Sequence, residues 1–115
     1  MSPPDLWWRR ASLVSVTDGD TYRLLLDMGM RIYTEQAIRL QGVNCPELNT
    51  SAGQEAKQFA ITWFGEHNHL GVRWPYYVRT EKDRMTFNRY VGIVVCGEGH
   101  SLADDILAAE MGVEM

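Results

Sequence analysis

Two short stretches of the chain gather groups that suit metal-assisted attack on a phosphodiester: Asp18-Gly19-Asp20-Thr21 and Ile38-Arg39-Leu40-Gln41-Gly42-Val43-Asn44-Cys45-Pro46-Glu47. Asp18 and Asp20 straddle a glycine, so both carboxylates can converge on a hard cation such as Ca²⁺, which takes oxygen ligands. In the second stretch Asn44 offers an amide oxygen and Cys45 a backbone carbonyl. Glu47, directed outward by the Pro46 turn, can orient or deprotonate a water. Arg39 can hold a phosphate through paired N–H donors, and Arg89, opening an apolar strand, is a second guanidinium of the same kind. Each group also has a plain reading. Asp-Gly-Asp is an ordinary turn composition, Glu47 a solvated loop residue, and each arginine a surface side chain with a nearby carboxylate.

Positioning these groups takes strands on either side of the acidic turn. Residues 13–16 read as a first strand and residues 22–26 as a second, with Tyr22, Leu24 and Leu26 on one face. A third strand is expected over residues 37–43. There Ile38 and Leu40 share one face, which puts Arg39 and Gln41 on the other. Ala52, Ala56, Phe59, Ala60, Trp63 and Phe64 recur at helical spacing and form one apolar stripe, closed by Gly65 and the polar residues 66–68. Residues 72–79 read as a strand edged at Pro75, residues 81–88 as a polar connection, and residues 90–96 as a strongly β-prone strand. A last helix begins at Ser101, where Ser101 and Asp104 have capping-box spacing. The order β-β-β-α-β-β-α, mainly β with α, predicts a five-stranded OB-fold barrel. A ferredoxin-like sandwich needs a helix after its first strand, where this chain has only a turn.

A chain of 115 residues fits one domain, with its core expected over about residues 10–112. At 45 % hydrophobic residues it can bury a substantial core. No apolar run approaches the roughly 20 residues of a membrane span, and the longest, residues 93–96, is strand-length. Residues 1–10 lack the basic and apolar regions of a secretory signal, so a cytoplasmic location without membrane association is expected. Cys45 and Cys96 have no metal-ligand spacing. Reduced thiols in an intracellular setting are the simpler reading, with a Cys45–Cys96 disulfide as the alternative. The net charge of −4 weighs against a nucleic-acid coat protein. From Glu98 onward there are five acids and no Lys or Arg, so eleven basic and ten acidic residues share the rest of the chain. Nine of the eleven are arginine, the side chain best shaped to grip phosphate. Phosphate binding must therefore be local.

In these segments the chain resembles the staphylococcal nuclease-like (thermonuclease) family. The resemblance lies in Asp18-Gly19-Asp20-Thr21, Ile38-Arg39-Leu40 with Cys45-Pro46-Glu47, Gly53-Gln54-Glu55-Ala56, Asn88-Arg89-Tyr90, and Ser101-Leu102-Ala103 with Met111-Gly112, in the family's order. It implies an OB barrel and Ca²⁺-dependent hydrolysis of DNA or RNA to a 5′-hydroxyl and a 3′-phosphate. By resemblance Asp20 is a Ca²⁺ ligand, Arg39 and Arg89 bind the scissile phosphate and stabilise its transition state, and Glu47 activates the attacking water. Asn44 stands where the family commonly has a second aspartate ligand, and Cys45 where a threonine carbonyl usually contacts the metal. Asparagine removes one charge from the metal shell, which should weaken Ca²⁺ binding. Phe87-Asn88-Arg89 replaces the usual Tyr-Gly-Arg. Many members carry a further C-terminal helix; either its lack exposes core surface and favours dimerisation, or the sequence is a trimmed piece of a longer chain.

Trp7, Trp8, Trp74, Tyr76 and Tyr77 read first as packing residues, with Tyr77 the preferred candidate for stacking a base. His67 and His69, two apart in a polar turn, have poor metal-ligand spacing. Two functions are thus expected: a Ca²⁺-dependent nuclease, as monomer or weak homodimer, preferring single-stranded DNA or RNA; or a catalytically impaired OB module binding single-stranded nucleic acid or protein.

Overall fold

Alternation decides which face each strand buries. In β2 (Thr21–Asp27) Tyr22, Leu24 and Leu26 are buried and Arg23 is exposed; in β3 (Tyr33–Leu40) Ile38 and Leu40 are buried and Arg39 lies on the outer side. The computed structural model describes residues 8–68, 72–82 and 89–114, with the side chains of residues 81, 82 and 89 outside that description. Trp7, His69, Phe87 and Asn88, with most of the polar connection, fall outside it.

β1 (Trp8–Asp18) is longer than the sequence reading of residues 13–16. Register irregularities after Leu13 and after Val16 bend it, so that it pairs along β2 while Trp8 to Ala11 pair with β5 (Tyr76–Lys82). β5 then pairs with β6 (Arg89–Cys96), and β6 runs parallel to β3. The result is a closed barrel in the order β1-β2-β3-β6-β5, four of whose pairings are antiparallel. Among the described residues this closed, mixed five-stranded barrel with two helices is mainly β and fits an OB-like architecture.

Further boundaries move: β3 begins at Tyr33, four residues before its expected start, and β5 runs on to Lys82, into the expected polar connection. The third strand stops at Leu40; Gln41-Gly42 turns, and Val43 joins a two-residue strand β4 (Val43–Asn44) paired with β7 (Val113–Glu114). β5 begins at Tyr76, after Pro75, whose ring cannot donate to a ladder.

The helix α1 (Ser51–Glu66) packs against β1 and adds Ala60, Trp63 and Phe64 to the core. Its buried positions are Gly53, Ala56, Ala60, Trp63 and Phe64, so Gly53 takes the place expected for Ala52, which is exposed. Gly65 does not end the helix; His67 caps it, with Nδ1 2.8 Å from the Trp63 carbonyl and its ring tilted against Trp63. Phe64 meets Tyr22 and Tyr76 edge to face at 5.1 and 4.9 Å, and Tyr76 donates to the Phe64 carbonyl. Burying each such aromatic contributes about 1.5–3 kcal/mol. Tyr76 is therefore core. The second helix α2 (Leu102–Ala108) is capped by Ser101, whose hydroxyl accepts the Asp104 N–H, and Asp105 accepts the Trp63 indole N–H at 2.7 Å. Cys45 and Cys96 are free thiols, and among the described residues no helix is long and apolar enough to cross a membrane.

At the far end of β2, Asp27 accepts the Gly29 N–H at 2.9 Å and pairs with Arg10. The Gly29 N–H first, and then Arg10, hold its carboxyl below the usual carboxylate range. A folded pKa below the unfolded one gives stability that is present above about pH 4 and lost as pH falls through the folded value. The melting-temperature difference between wild type and Asp27→Asn should therefore be clear at about pH 6 and shrink towards about pH 2. Equal differences at both pH values would contradict the assignment.

Candidate functional site

The acidic turn is built tightly. Asp18 pairs with Thr21 across the ladder, leaving Gly19 and Asp20 at the tip, and Asp18 Oδ1 accepts the Asp20 N–H at 3.1 Å. From inside the barrel the Tyr22 hydroxyl donates to the Gly19 carbonyl. A β-carbon on residue 19 would lie 2.7 Å from Ala56 Cβ and 3.0 Å from Cys45 Cβ. Glycine here lets the turn seat between α1 and the strand end that follows β3. Asp20 is consequently only 8 % exposed.

A buried carboxylate needs partners, and Asp20 has several. Its Oδ2 accepts the Cys45 N–H at 2.9 Å and lies 3.5 Å from Arg39 Nη2, while the Thr21 hydroxyl is 3.3 Å from Oδ1. Its carbonyl accepts the Leu40 N–H at 2.8 Å, fixing the turn to the end of β3. Burial pushes the Asp20 pKa up, as does a hydrogen bond with the Asp18 carboxyl; the Cys45 N–H and Arg39 oppose this. Two carboxyl groups thus face each other at one rim.

Arg39 has a side chain 13 % exposed. Nη1 donates to the carbonyls of Leu40 and Val43 at 2.8 and 2.7 Å, and Nη2 to Asn44 Oδ1 at 3.3 Å. The guanidinium therefore wraps the Gln41-Gly42 turn and ties it to the acidic turn. This is the local carboxylate partnership that any surface arginine is open to, but here it fixes the cation beside Asp20 on one rim.

Of the residues singled out in the sequence, Asp20, Arg39, Asn44 and Cys45 come together. The Asn44 amide oxygen, assigned by resemblance to a metal, faces the Arg39 guanidinium. Cys45 takes part through its backbone; burial and then the Asp20 charge push its thiol up to about 11, so it is a poor nucleophile at neutral pH. Glu47 lies exposed in the same loop, and its carboxylate forms no hydrogen bond or ion pair among the described residues. Its backbone is fixed: the Glu47 carbonyl accepts the Thr50 N–H at 3.0 Å and the Thr50 hydroxyl at 2.6 Å. Arg89 pairs through its backbone with Ala37, two residues before the Arg39–Val91 pair, and its side chain is outside the description. Tyr77 is elsewhere. Its partner Val95 lies four residues beyond Val91 on β6, roughly 13 Å along the strand.

The chain matches no family model and no curated protein.

Among the described residues no three His, Cys, Asp or Glu side chains group as a metal cluster. The donor groups at the rim are nonetheless oxygens: two facing carboxyls and the Asn44 amide, which also accepts from Arg39. That suits a hard cation such as Ca²⁺, which accepts water and substrate oxygens as further ligands. An open pocket of about 240 Å³ lined by Asn44, Cys45, Pro46, Glu110 and Met111 to Val113 adjoins the rim. Thr50 and Gly53 were not foreseen as site residues. Their signal was a helix-capping threonine three residues before a glycine, the residue that weakens a helix by about 1 kcal/mol relative to alanine.

Proposed function

We propose that the protein is a Ca²⁺-dependent phosphodiesterase acting on single-stranded DNA or RNA. The observation that supports this reading is the Asp20–Arg39 pair: a nearly buried carboxylate and a multiply tethered guanidinium held 3.5 Å apart at one rim. A cation fixed in advance stabilises developing phosphate charge without reorganising at the moment of reaction. Asp20 and Asp18, with the Asn44 amide and the Cys45 carbonyl, would hold Ca²⁺, which neutralises phosphate charge when bound. Arg39 grips the non-bridging oxygens, and Arg89 is the proposed second guanidinium. Glu47 takes the proton of the attacking water as its oxygen bonds to phosphorus. The P–O5′ bond breaks and the leaving O5′ takes a proton from solvent water, giving a 5′-hydroxyl and a 3′-phosphate.

The Asn44–Arg39 hydrogen bond favours a second reading, a binding module whose metal shell has lost an acid. Incubating single-stranded DNA with the protein in Ca²⁺, in EDTA, and as Glu47→Gln separates the two. The nuclease should cleave only in Ca²⁺, and Glu47→Gln should be slower by about 10²–10⁴-fold. Cleavage that persists in EDTA, or that runs at the wild-type rate in Glu47→Gln, sinks the mechanism. Absence of cleavage throughout favours the binding module.

A further inference from the structure

Away from the acidic rim, a second constellation combines aromatic rings with arginines. Tyr33 and Trp74 stack with ring centroids 5.6 Å apart and planes inclined by 23°. The Arg73 guanidinium lies 5.1 Å from the centroid of each ring. Tyr33 is 42 % exposed, Met30 is 94 % exposed, and Arg31, Ile32 and Val72 are exposed beside them in sequence. Among the described residues Arg73 forms no salt bridge.

The strand register extends this cluster. Tyr77 stands opposite Arg10 on β1, Arg10 binds Asp27 on β2, and Asp27 stands opposite Tyr33 on β3. The neighbours of these residues towards the barrel interior, Tyr76, Val78, Ala11 and Leu26, are buried. Tyr77, Arg10, Asp27 and Tyr33 therefore form one outward row across four strands. Arg10, Arg31 and Arg73 outnumber Asp27 there, and the exposed Glu35 further along β3 is paired with Arg23, on a chain whose net charge is −4.

We propose that this row, with Trp74 and Arg73, is a binding platform for single-stranded nucleic acid, separate from the Asp20–Arg39 rim. Flat apolar rings stack bases and guanidinium groups meet phosphates, so alternating the two matches a single strand better than an apolar protein face. Tyr33 and Arg39 lie on the same outer side of β3, six residues apart, roughly 20 Å along the strand. A polynucleotide laid along β3 reaches both. The inference rests on the proposed function for the kind of polymer.

The test is fluorescence anisotropy of a labelled oligothymidylate of about twelve nucleotides in EDTA, where the proposed cleavage does not occur. The full chain is compared with Trp74→Ala, Trp74→Phe, Tyr33→Ala and Arg73→Ala, each checked by thermal melting. Trp74→Ala should weaken binding by about tenfold or more, with Trp74→Phe restoring most of it. Arg73→Ala should weaken binding and lower the slope of log K against log salt by about 0.7. If Trp74→Ala does not fold, Tyr33→Ala and Arg73→Ala decide. Affinity unchanged in the folded variants, or no saturable binding by the wild type, overturns the platform. So does self-association lost in Trp74→Ala without oligonucleotide binding, which would mark a contact between copies of the chain. Binding that follows this pattern in a protein that never cleaves overturns the nuclease reading and leaves the platform standing.

Discussion

Arg39→Met should unfold more readily than the wild type by about 3–5 kcal/mol, the usual loss when one partner of a buried ion pair is removed. Methionine fills similar space but donates nothing. The variant leaves the Val43 carbonyl, the Asn44 amide oxygen and the Asp20 carboxylate without their guanidinium partner. Asp20 also loses one of the two influences that oppose its raised pKa, so its carboxyl should move further up. Arg39→Lys separates charge from geometry. An ammonium keeps the charge beside Asp20 but cannot reproduce the planar fork that reaches two carbonyls and an amide at once. Lysine should therefore recover much of the stability while cleavage stays about 10²–10³-fold below wild type, the usual effect of losing one transition-state donor. Urea unfolding and initial rates on the same preparations measure both. Wild-type stability in Arg39→Met would mean that the tethering contacts contribute nothing. A wild-type rate in Arg39→Lys would remove Arg39 from phosphate binding.

The parity of β3 was legible because it is local: burying Ile38 and Leu40 leaves Arg39 only the outer side. The Asp18-Gly19-Asp20 turn was legible for the same reason, since its residues carry their own turn chemistry. What could not be read depends on partners distant in the chain. β1 extends to Trp8 because β5, some sixty-five residues later, supplies its second edge. Helical periodicity placed Ala52 on the buried stripe, but the first turn of α1 faces the Glu47 backbone, and only Gly53 fits there. Asn44 was read as a metal ligand from its position in a motif. Its amide oxygen also lies within reach of Arg39, because the Gln41-Gly42 turn folds the strand end back on β3, a contact that no local pattern announces. Tyr77 was singled out among five aromatics as the preferred candidate for stacking a base, and the register gives it a row with Arg10, Asp27 and Tyr33 that no local pattern contains.

Gly53→Ala puts one methyl group where the fold has no room. An ideal β-carbon at residue 53 would lie 1.8 Å from the Glu47 carbonyl oxygen, 2.5 Å from its carbon and 3.0 Å from Leu48 Cα. These neighbours are backbone atoms, so no rotamer change relieves the overlap. Alanine would ordinarily strengthen a helix by about 1 kcal/mol over glycine, and that gain opposes the clash. The clash is expected to win, with a net loss of about 1–3 kcal/mol, the range for overpacked sites. The structure can yield only by moving the 47–48 loop away from α1. That displaces the Glu47 carbonyl from the Thr50 N–H and hydroxyl, and loosens the cap whose hydroxyl also accepts the Gly53 N–H at 3.0 Å. The Glu47 carboxylate moves with its backbone. Misplacing a catalytic group by about 1 Å can cost about 100-fold in rate, so cleavage should fall by about that factor under conditions where the variant is fully folded. Binding of oligothymidylate in EDTA should be unchanged, because Tyr33, Trp74 and Arg73 do not touch this loop. A Gly53→Ala protein as stable and active as wild type would show that the helix does not approach Glu47 this closely. Equal losses of binding and cleavage would show that the two surfaces are not separate.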